Sequence, residues 1–307
     1  MGTDPDFALM FVAPIDAPGV KLISRASYEF VAGVTGSPFD YPLSSRFDEN
    51  DAILVLDNVL IPWENVLIYR DFDRARSWTM VGGFARLFPF QACTRFAVKL
   101  DFLAGLLQKS LECTGVSEFS DVQADLGEVV TWRHMFWALS DAMWAEAEEW
   151  NGGAWMPDTK SIMTYSVLAP MAYTKIKNIV ERNLTSDLVY LPSSIRDMNN
   201  PEIEKYQAKY VRGSDGMDYE ERIKILRLMW DAIGSEFGGR HELYEINYTG
   251  SQDKIRMQCL RQAKQSGVMQ QMTDLIDRCM ADYDRNCWKN PIYHNNDDLV
   301  KIDDLLK

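Results

Sequence analysis

In residues 1–70 the apolar positions come in short runs broken by proline, glycine and aspartate, and these runs read as strands. Phe7–Ala13 is an apolar stretch ended by Pro14, and GVKLISR, opening on Gly19, alternates weakly. Ala52–Leu56 is a further strand, followed by a turn at Asp57–Asn58 and another short strand stopped by Pro62. So few strands leave an open sheet edge, which folded proteins usually avoid. From about residue 78 onward the apolar spacing is helical almost throughout. A first helix runs from Phe84 or Pro89 to Leu111 with Gly115 as its stop, and its apolar residues occupy more than one face. A second starts at Ser120, where Gln123 completes a capping box, and runs to about Trp150. A third spans about Lys160–Arg182, and a fourth takes Asn200 as cap and Pro201 as its first residue. Further helices are expected at 217–233, 240–263 and 266–285. The pattern predicts a mainly α protein with a small β part: a partial β domain over 1–70 and a helical bundle over 71–307.

Composition narrows the function classes. The chain has 307 residues, 47% of them hydrophobic and 12% aromatic, as expected of a packed globular protein. A formal net charge of −13 argues against nucleic acid or an anionic membrane as partner and suits a cytoplasmic surface. Cys93, Cys113, Cys259, Cys279 and Cys287 are scattered without a CxxC pair, which fits buried free thiols in a reducing compartment. The start MGTDPDFALMFVAP has neither a basic region nor a long apolar core, so a signal peptide is not expected.

Motifs that announce chemistry are absent from the sequence: no GxGxxG, GxxxxGK[ST], HExxH or GxSxG occurs. Of the three histidines, His134 reads as a packed or surface residue and His294 as exposed. His241 follows a glycine pair and is the better candidate. No spacing of His, Cys and carboxylates suggests a metal site. The run Glu146–Glu149 reads as a solvated helix end, and the aromatics Trp132, Phe136 and Trp137, with Phe84, Phe88 and Phe90, read as core.

The segment GSEFGGRHELYE, residues 234–245, is the exception. Two adjacent glycines in a helical context cost roughly 1 kcal/mol each relative to alanine. If the preceding helix ends near Gly234, Ser235–Arg240 is a short connection and the next helix begins near Arg240. Bare glycine backbone, a helix N-terminus and a guanidinium then make a generic anion site that suits a pyrophosphate. The plainer reading is a tight turn with Arg240 paired to Glu242 or Glu236. Two weaker candidates are the loop Ser44–Ser45–Arg46, alternatively a β-turn satisfied by Asp48 and Asp51, and the pair Gln91 and Arg95 on the first bundle helix.

Three stretches carry a resemblance. They are SRASYEFVAGVTGSPFDYPLSSRFDENDAILVLDNVLIPWENVLIYRD (24–71), APMAYTKIKNIVERN (169–183) and RLMWDAIGSEFGGRHELYE (227–245). They closely resemble the large oxygenase component of the 4-hydroxyphenylacetate 3-monooxygenase family, and the likeness covers essentially the whole chain. The resemblance implies an acyl-CoA dehydrogenase-like helical bundle preceded by part of a middle β domain. It implies FAD as cofactor, taken as FADH₂ from a separate flavin reductase, and hydroxylation of a phenolic substrate ortho to its hydroxyl group. It also implies homotetramers built on the bundle.

Members of that family begin before the point that matches Met1, and the resemblance implies that the phenol-binding Arg, Tyr and His lie there. No catalytic residue is therefore expected here. The flavin contact that carries over resembles Ser235, Glu236, Phe237, Gly238, Gly239 and Arg240. In the related dehydrogenase fold, the helix bearing Gln91 and Arg95 helps bind flavin from a neighbouring subunit. The alternatives are a catalytically silent helical self-association module, or a related hydroxylase acting on a chlorophenol or a tethered tyrosine.

Overall fold

The computed structural model describes residues 4–47, 50–285 and 289, so Asp48, Cys287 and His294 lie outside the described residues. The chain forms two compact units, Met1–Gln252 and Asp253–Lys307. The first opens with β1 (Leu9–Phe11), β2 (Val20–Ser24), α1 (Tyr28–Thr35), β3 (Ala52–Leu56) and β4 (Val66–Tyr69). These strands make two separate antiparallel pairs. β1 runs against β4 with Leu9 opposite Tyr69, and β2 runs against β3 from Val20 opposite Leu56 to Ser24 opposite Ala52. The strand expected before Pro62 does not form. Trp63–Asn65 is a single 3₁₀ turn, and β4 follows it. Helix α1, unexpected in a segment read as strands, starts at Ser27, whose side chain accepts the Phe30 amide.

The bundle comprises α2 (Phe72–Val81), α3 (Phe84–Thr114), α4 (Ser120–Ala145), α5 (Thr159–Leu184), α6 (Ile195–Met198), α7 (Pro201–Tyr210), α8 (Tyr219–Ile233) and α9 (Glu236–Asn247). A small pair, β5 (Glu148–Glu149) with β6 (Trp155–Met156), lies between α4 and α5. Local chemistry sets the ends. Gly115 stops α3 at φ 78°, a left-handed conformation that glycine adopts freely. Asn200 caps α7 with Pro201 behind it, and Asp218 and Glu221 form a capping box on α8. Ser120 is not a cap. The Val116–Phe119 turn carries the chain straight into α4, so Phe119 takes the cap position and Ser120 is the first helical residue.

The core lies between α3, α4, α5 and α8. On α4 the buried residues Val122, Val129, Phe136 and Met143 recur every seven positions, a seam that faces α3 and α5. Phe96 of α3 meets Phe136 edge-to-face at 4.7 Å, and Phe136 meets Tyr165 of α5 at 6.0 Å. The acidic run after α4 is more than a solvated end, because Glu146 pairs with Lys160 at 2.8 Å and Glu148 with the buried Arg86 at 2.9 Å. Cys93 and Cys113 are buried, and burial pushes the Cys93 thiol up to about 12. Cys259 is half-buried and Cys279 exposed, so the expectation that all the thiols are buried fails for these two.

The single helix expected over 240–263 is two, because Gly250 (φ 96°) breaks the chain after α9. In the second unit, α10 (Gln252–Gln265) and α11 (Val268–Ala281) join at Gly267, φ 81°. Met272, Leu275, Ile276 and Met280 of α11 are exposed. Among the described residues no helix is long and apolar enough to cross a membrane.

Phe136→Ala is expected to cost about 3–5 kcal/mol, because it opens a cavity at the centre of the seam. Trp144→Ala, at a position 63% exposed on the same helix, is expected to cost less than about 1 kcal/mol. Urea unfolding of the two variants checks both values.

Candidate functional site

The glycine pair lies inside a helix. Ser235 caps α9, its Oγ accepting the Gly238 amide at 3.1 Å while donating to the Asp231 carbonyl at 3.0 Å. Gly238 and Gly239 therefore belong to the first turn of α9, which starts at Glu236 and not near Arg240. The cap offsets part of the glycine cost. The two glycines have different reasons to be there. A Cβ on Gly238 would stand 2.7 Å from the backbone of Ile233, so glycine is what lets α9 fold back tightly onto the end of α8. A Cβ on Gly239 would meet nothing within 4 Å, so its backbone lies bare beside an open cavity of about 800 Å³.

Arg25, Tyr28, Asp51, Gly239 and Arg240 line that cavity. Arg240 pairs with neither Glu236 nor Glu242, as the plainer reading expected. Its Nη2 and Nε donate to the Asp51 carboxylate at 3.1 and 3.2 Å. Arg240 holds the Asp51 carboxyl below its usual range, chiefly by this hydrogen bonding. Glu236 instead pairs with Arg25, whose Nη1 donates to the Tyr28 hydroxyl at 2.5 Å, and Glu242 pairs with Lys177. Each pair joins distant parts of the chain, because the segments preceding α1 and β3, and helix α5, all lie against α9.

A second cavity, of about 620 Å³, shares Arg240 and Tyr244 with the first. Leu43, Phe47, Val98, Phe102 and Phe237 give it apolar walls, and Arg95, Lys99 and His241 line its polar side. Behind them the buried Glu245 carboxylate accepts both Nη groups of Arg95, at 2.6 and 2.9 Å, and Lys99 Nζ at 2.5 Å. Burial raises the Glu245 carboxyl, but Arg95 and Lys99 outweigh burial and hold it below its usual range. Lys99 Nζ lies 3.1 Å from His241 Nδ1. An ammonium can only donate, so Nδ1 accepts and the neutral ring carries its proton on Nε2. Burial, with Lys99 and Arg240 nearby, lowers the His241 imidazole to about 4.

The structure thus brings Glu236, Phe237, Gly239, Arg240, His241 and Arg95 to these two cavities, keeps Ser235 outside both as the cap of α9, and sets Gly238 against the end of α8. Gln91 is exposed and lines neither cavity. Of the Ser44–Ser45–Arg46 loop, Ser44 is buried against Asp231 and Arg46 is exposed; the flanking Leu43 and Phe47 are the residues that face a cavity. His134 is exposed beside Arg133. The sequence reading missed Arg25, Lys99, Asp231 and Glu245. Only Lys99 carried a local signal, being four residues from Arg95 on one helical face.

Comparison with known proteins shows the family. Residues 75–277 match the C-terminal domain of 4-hydroxyphenylacetate 3-hydroxylase, and residues 1–68 match its N-terminal domain. The chain is 72% identical over all 307 residues to the oxygenase component of 4-hydroxyphenylacetate 3-monooxygenase of Escherichia coli, and spans 59% of that protein's length. A crystal structure of an oxygenase component of 4-hydroxyphenylacetate 3-monooxygenase complexed with FAD superposes with a TM-score of 0.83 at 25% identity. That superposition covers 92% of this chain and 58% of the other. The archaeal 4-hydroxybutyryl-CoA dehydratase of N. maritimus is similar in fold, with a TM-score of 0.79 at 20% identity over 97% of this chain and 58% of its own. The architecture is therefore an acyl-CoA dehydrogenase-like helical bundle preceded by a small β part. The chain belongs to the 4-hydroxyphenylacetate 3-hydroxylase family.

The His241 imidazole has a folded value of about 4 against 6.5 for an ordinary histidine. Between these pH values the unfolded chain binds more protons than the folded one. The contribution of His241 to stability is thus fully present above pH 6.5 and is lost as pH falls towards 4. The expected outcome is an imidazole resonance that titrates near pH 4, and a stability–pH profile that is flatter between these limits in His241→Gln. A midpoint near 6.5 would show the ring to be solvated.

Proposed function

We propose that the chain is part of the oxygenase component of a two-component, FADH₂-dependent monooxygenase. The reaction is hydroxylation of 4-hydroxyphenylacetate, or a closely related phenol, ortho to its hydroxyl group. The observation that carries this reading is the 72% identity along all 307 residues to the Escherichia coli oxygenase component. A separate flavin reductase supplies FADH₂, and the protein works in the cytoplasm as a homo-oligomer, a tetramer in this reading. Exposed apolar side chains on the bundle, among them Val98, Phe102 and Met171, are consistent with contact between copies. In this reading residues 1–70 are a partial middle β domain and residues 71–307 the bundle domain, whose helices α2–α9 lie in the first compact unit.

The residues present fit a flavin nucleotide. The cavity of about 800 Å³ offers a bare backbone at Gly239 and two guanidinium groups, Arg25 and Arg240, which pair with Glu236 and Asp51 of the same lining and would exchange those partners for the cofactor's charge. Ser235, Glu236, Phe237, Gly238, Gly239 and Arg240 are the proposed contact segment: Gly239 admits the cofactor, and Arg240 meets its negative charge. Gly238 acts indirectly by keeping the start of α9 in place. Bound reduced flavin supplies the activation of O₂. The part of this chain is to hold the cofactor and to keep water out with the apolar wall of Leu43, Phe47 and Phe237.

Joining the chain to the remainder of the Escherichia coli oxygenase component, the part it does not match, tests the reading. With FADH₂ and 4-hydroxyphenylacetate the chimera is expected to form 3,4-dihydroxyphenylacetate above the free-flavin background; a folded chimera that binds FADH₂ without product sinks the reading. Within the chimera, Gly239→Val is expected to leave melting unchanged, since nothing lies within 4 Å of its Cβ, while weakening FADH₂ binding. Arg240→Ala is expected to weaken FADH₂ binding by about 1.5–3 kcal/mol, the range for a charged hydrogen bond. Gly238→Ala is expected to lower the melting temperature first. Anaerobic flavin titration beside melting curves separates the three.

A further inference from the structure

Asp231 is fully buried two residues before the end of α8, and the sequence around it gives no hint of a role. Its Oδ2 accepts the backbone amides of Leu43 at 2.7 Å and Ser44 at 2.8 Å, and its Oδ1 accepts the Ser44 hydroxyl. Its backbone carbonyl accepts Ser235 Oγ at 3.0 Å, the same hydroxyl that receives the Gly238 amide. One residue therefore holds two segments that are far apart in sequence. Through its carboxylate it fixes the start of the segment that brings Leu43 and Phe47 to the apolar wall. Through its carbonyl it fixes the serine that starts α9 and sets Gly239 beside the open cavity.

We propose that Asp231 is the positioning residue of the flavin site, setting the Leu43–Phe47 segment and the Ser235–Arg240 turn in register with each other. The proposal rests on the reading of that turn as a flavin contact. Two backbone amides aimed at a carboxylate in a buried place leave little slack, because either amide without its acceptor costs more than the bond itself contributes. Removing the carboxylate frees the segment and takes away its weight against the end of α8; the Asp231 carbonyl that accepts Ser235 Oγ stays, so any loosening at Ser235 reports coupling between the two segments.

Asp40 provides the control. It is 1% exposed and anchors the preceding part of the same segment, accepting the Ile195 amide at 2.7 Å and the Ser194 hydroxyl at 3.3 Å. Its carboxylate hydrogen bonds among the described residues go to Ser37, Ser194 and Ile195, none of them on α8 or α9. A buried anchor that matters only for stability would behave alike at both positions.

The test compares Asp231→Ala, Asp231→Asn, Asp40→Ala and Ser44→Ala in the chimera with the remainder of the Escherichia coli oxygenase component, by amide hydrogen exchange and by titration with FAD. Asp231→Ala is expected to speed exchange both at Leu43–Phe47 and at Ser235–Arg240, and to weaken FAD binding about tenfold or more. Asp231→Asn keeps an oxygen for the two amides and can donate to Ser44 Oγ, so it is expected to restore both readouts nearly to the parent. Asp40→Ala is expected to speed exchange in the 37–47 segment while changing FAD affinity less than about threefold. If Asp231→Ala does not fold, Ser44→Ala, which removes one of the three carboxylate contacts, is expected to show the coupled exchange at smaller amplitude. Unchanged exchange at Ser235–Arg240 in Asp231→Ala, or in Ser44→Ala where that is the variant read, overturns the proposal. Equal loss of FAD affinity in Asp40→Ala overturns it as well. A parent chimera that does not bind FAD, but shows the coupled exchange in its Asp231→Ala variant, removes the flavin reading and leaves the coupling standing.

Discussion

The buried Glu245 carboxylate is the interaction around which the candidate site is arranged. An ionised carboxylate removed from water is costly unless its charge and its lone pairs are met. Here both are met from α3, by a two-pronged contact from Arg95 and a third hydrogen bond from Lys99. That choice of partners pins α9 against the longest helix of the bundle at one azimuth. With α9 fixed there, His241 faces Lys99, Phe237 meets Tyr28 edge-to-face at 5.6 Å, and Arg240 is presented to Asp51. Without that pair, α9 would keep only its close packing at Gly238 and its more exposed ionic contacts to hold that azimuth.

Other ionic contacts around the site differ in kind. Arg25–Glu236 and Arg240–Asp51 involve partly exposed side chains, with Glu236 69% and Asp51 56% exposed. Such pairs contribute roughly 0–1 kcal/mol. They fix direction and leave the guanidinium groups exchangeable. The molecule thus has a rigid ionic anchor at Glu245 and two loose ionic contacts at the cavity mouth, and the loose pair is the one a ligand would meet.

The helices were legible because their signals are local. Apolar spacing, Gly115, Asn200–Pro201 and Ala52–Leu56 each mark an element within a few residues. The glycine pair was legible as a place, but its geometry was not. Nothing in GSEFGGRH says that Ser235 caps the helix in front of both glycines, or that Gly238 answers to Ile233 while Gly239 answers to empty space. Likewise Asp231 reads as one more acid on an amphipathic helix, and only the return of Leu43 and Ser44 to its side reveals what it holds. Family resemblance supplied what periodicity could not, because it carries the outcome of tertiary pairing without deriving it.

The pairings at the site join residues very far apart along the chain. Asp51 and Arg240 are separated by 189 positions, Arg25 and Glu236 by 211, Ser44 and Asp231 by 187, and Arg95 and Glu245 by 150. The helical hairpins of the bundle close short loops and can form early, whereas these contacts must wait until both ends of the first unit are in place. The two cavities therefore exist only in a chain that has completed its folding. Any molecule they accept discriminates finished chains from unfinished ones, and by mass action it draws the population towards the finished state.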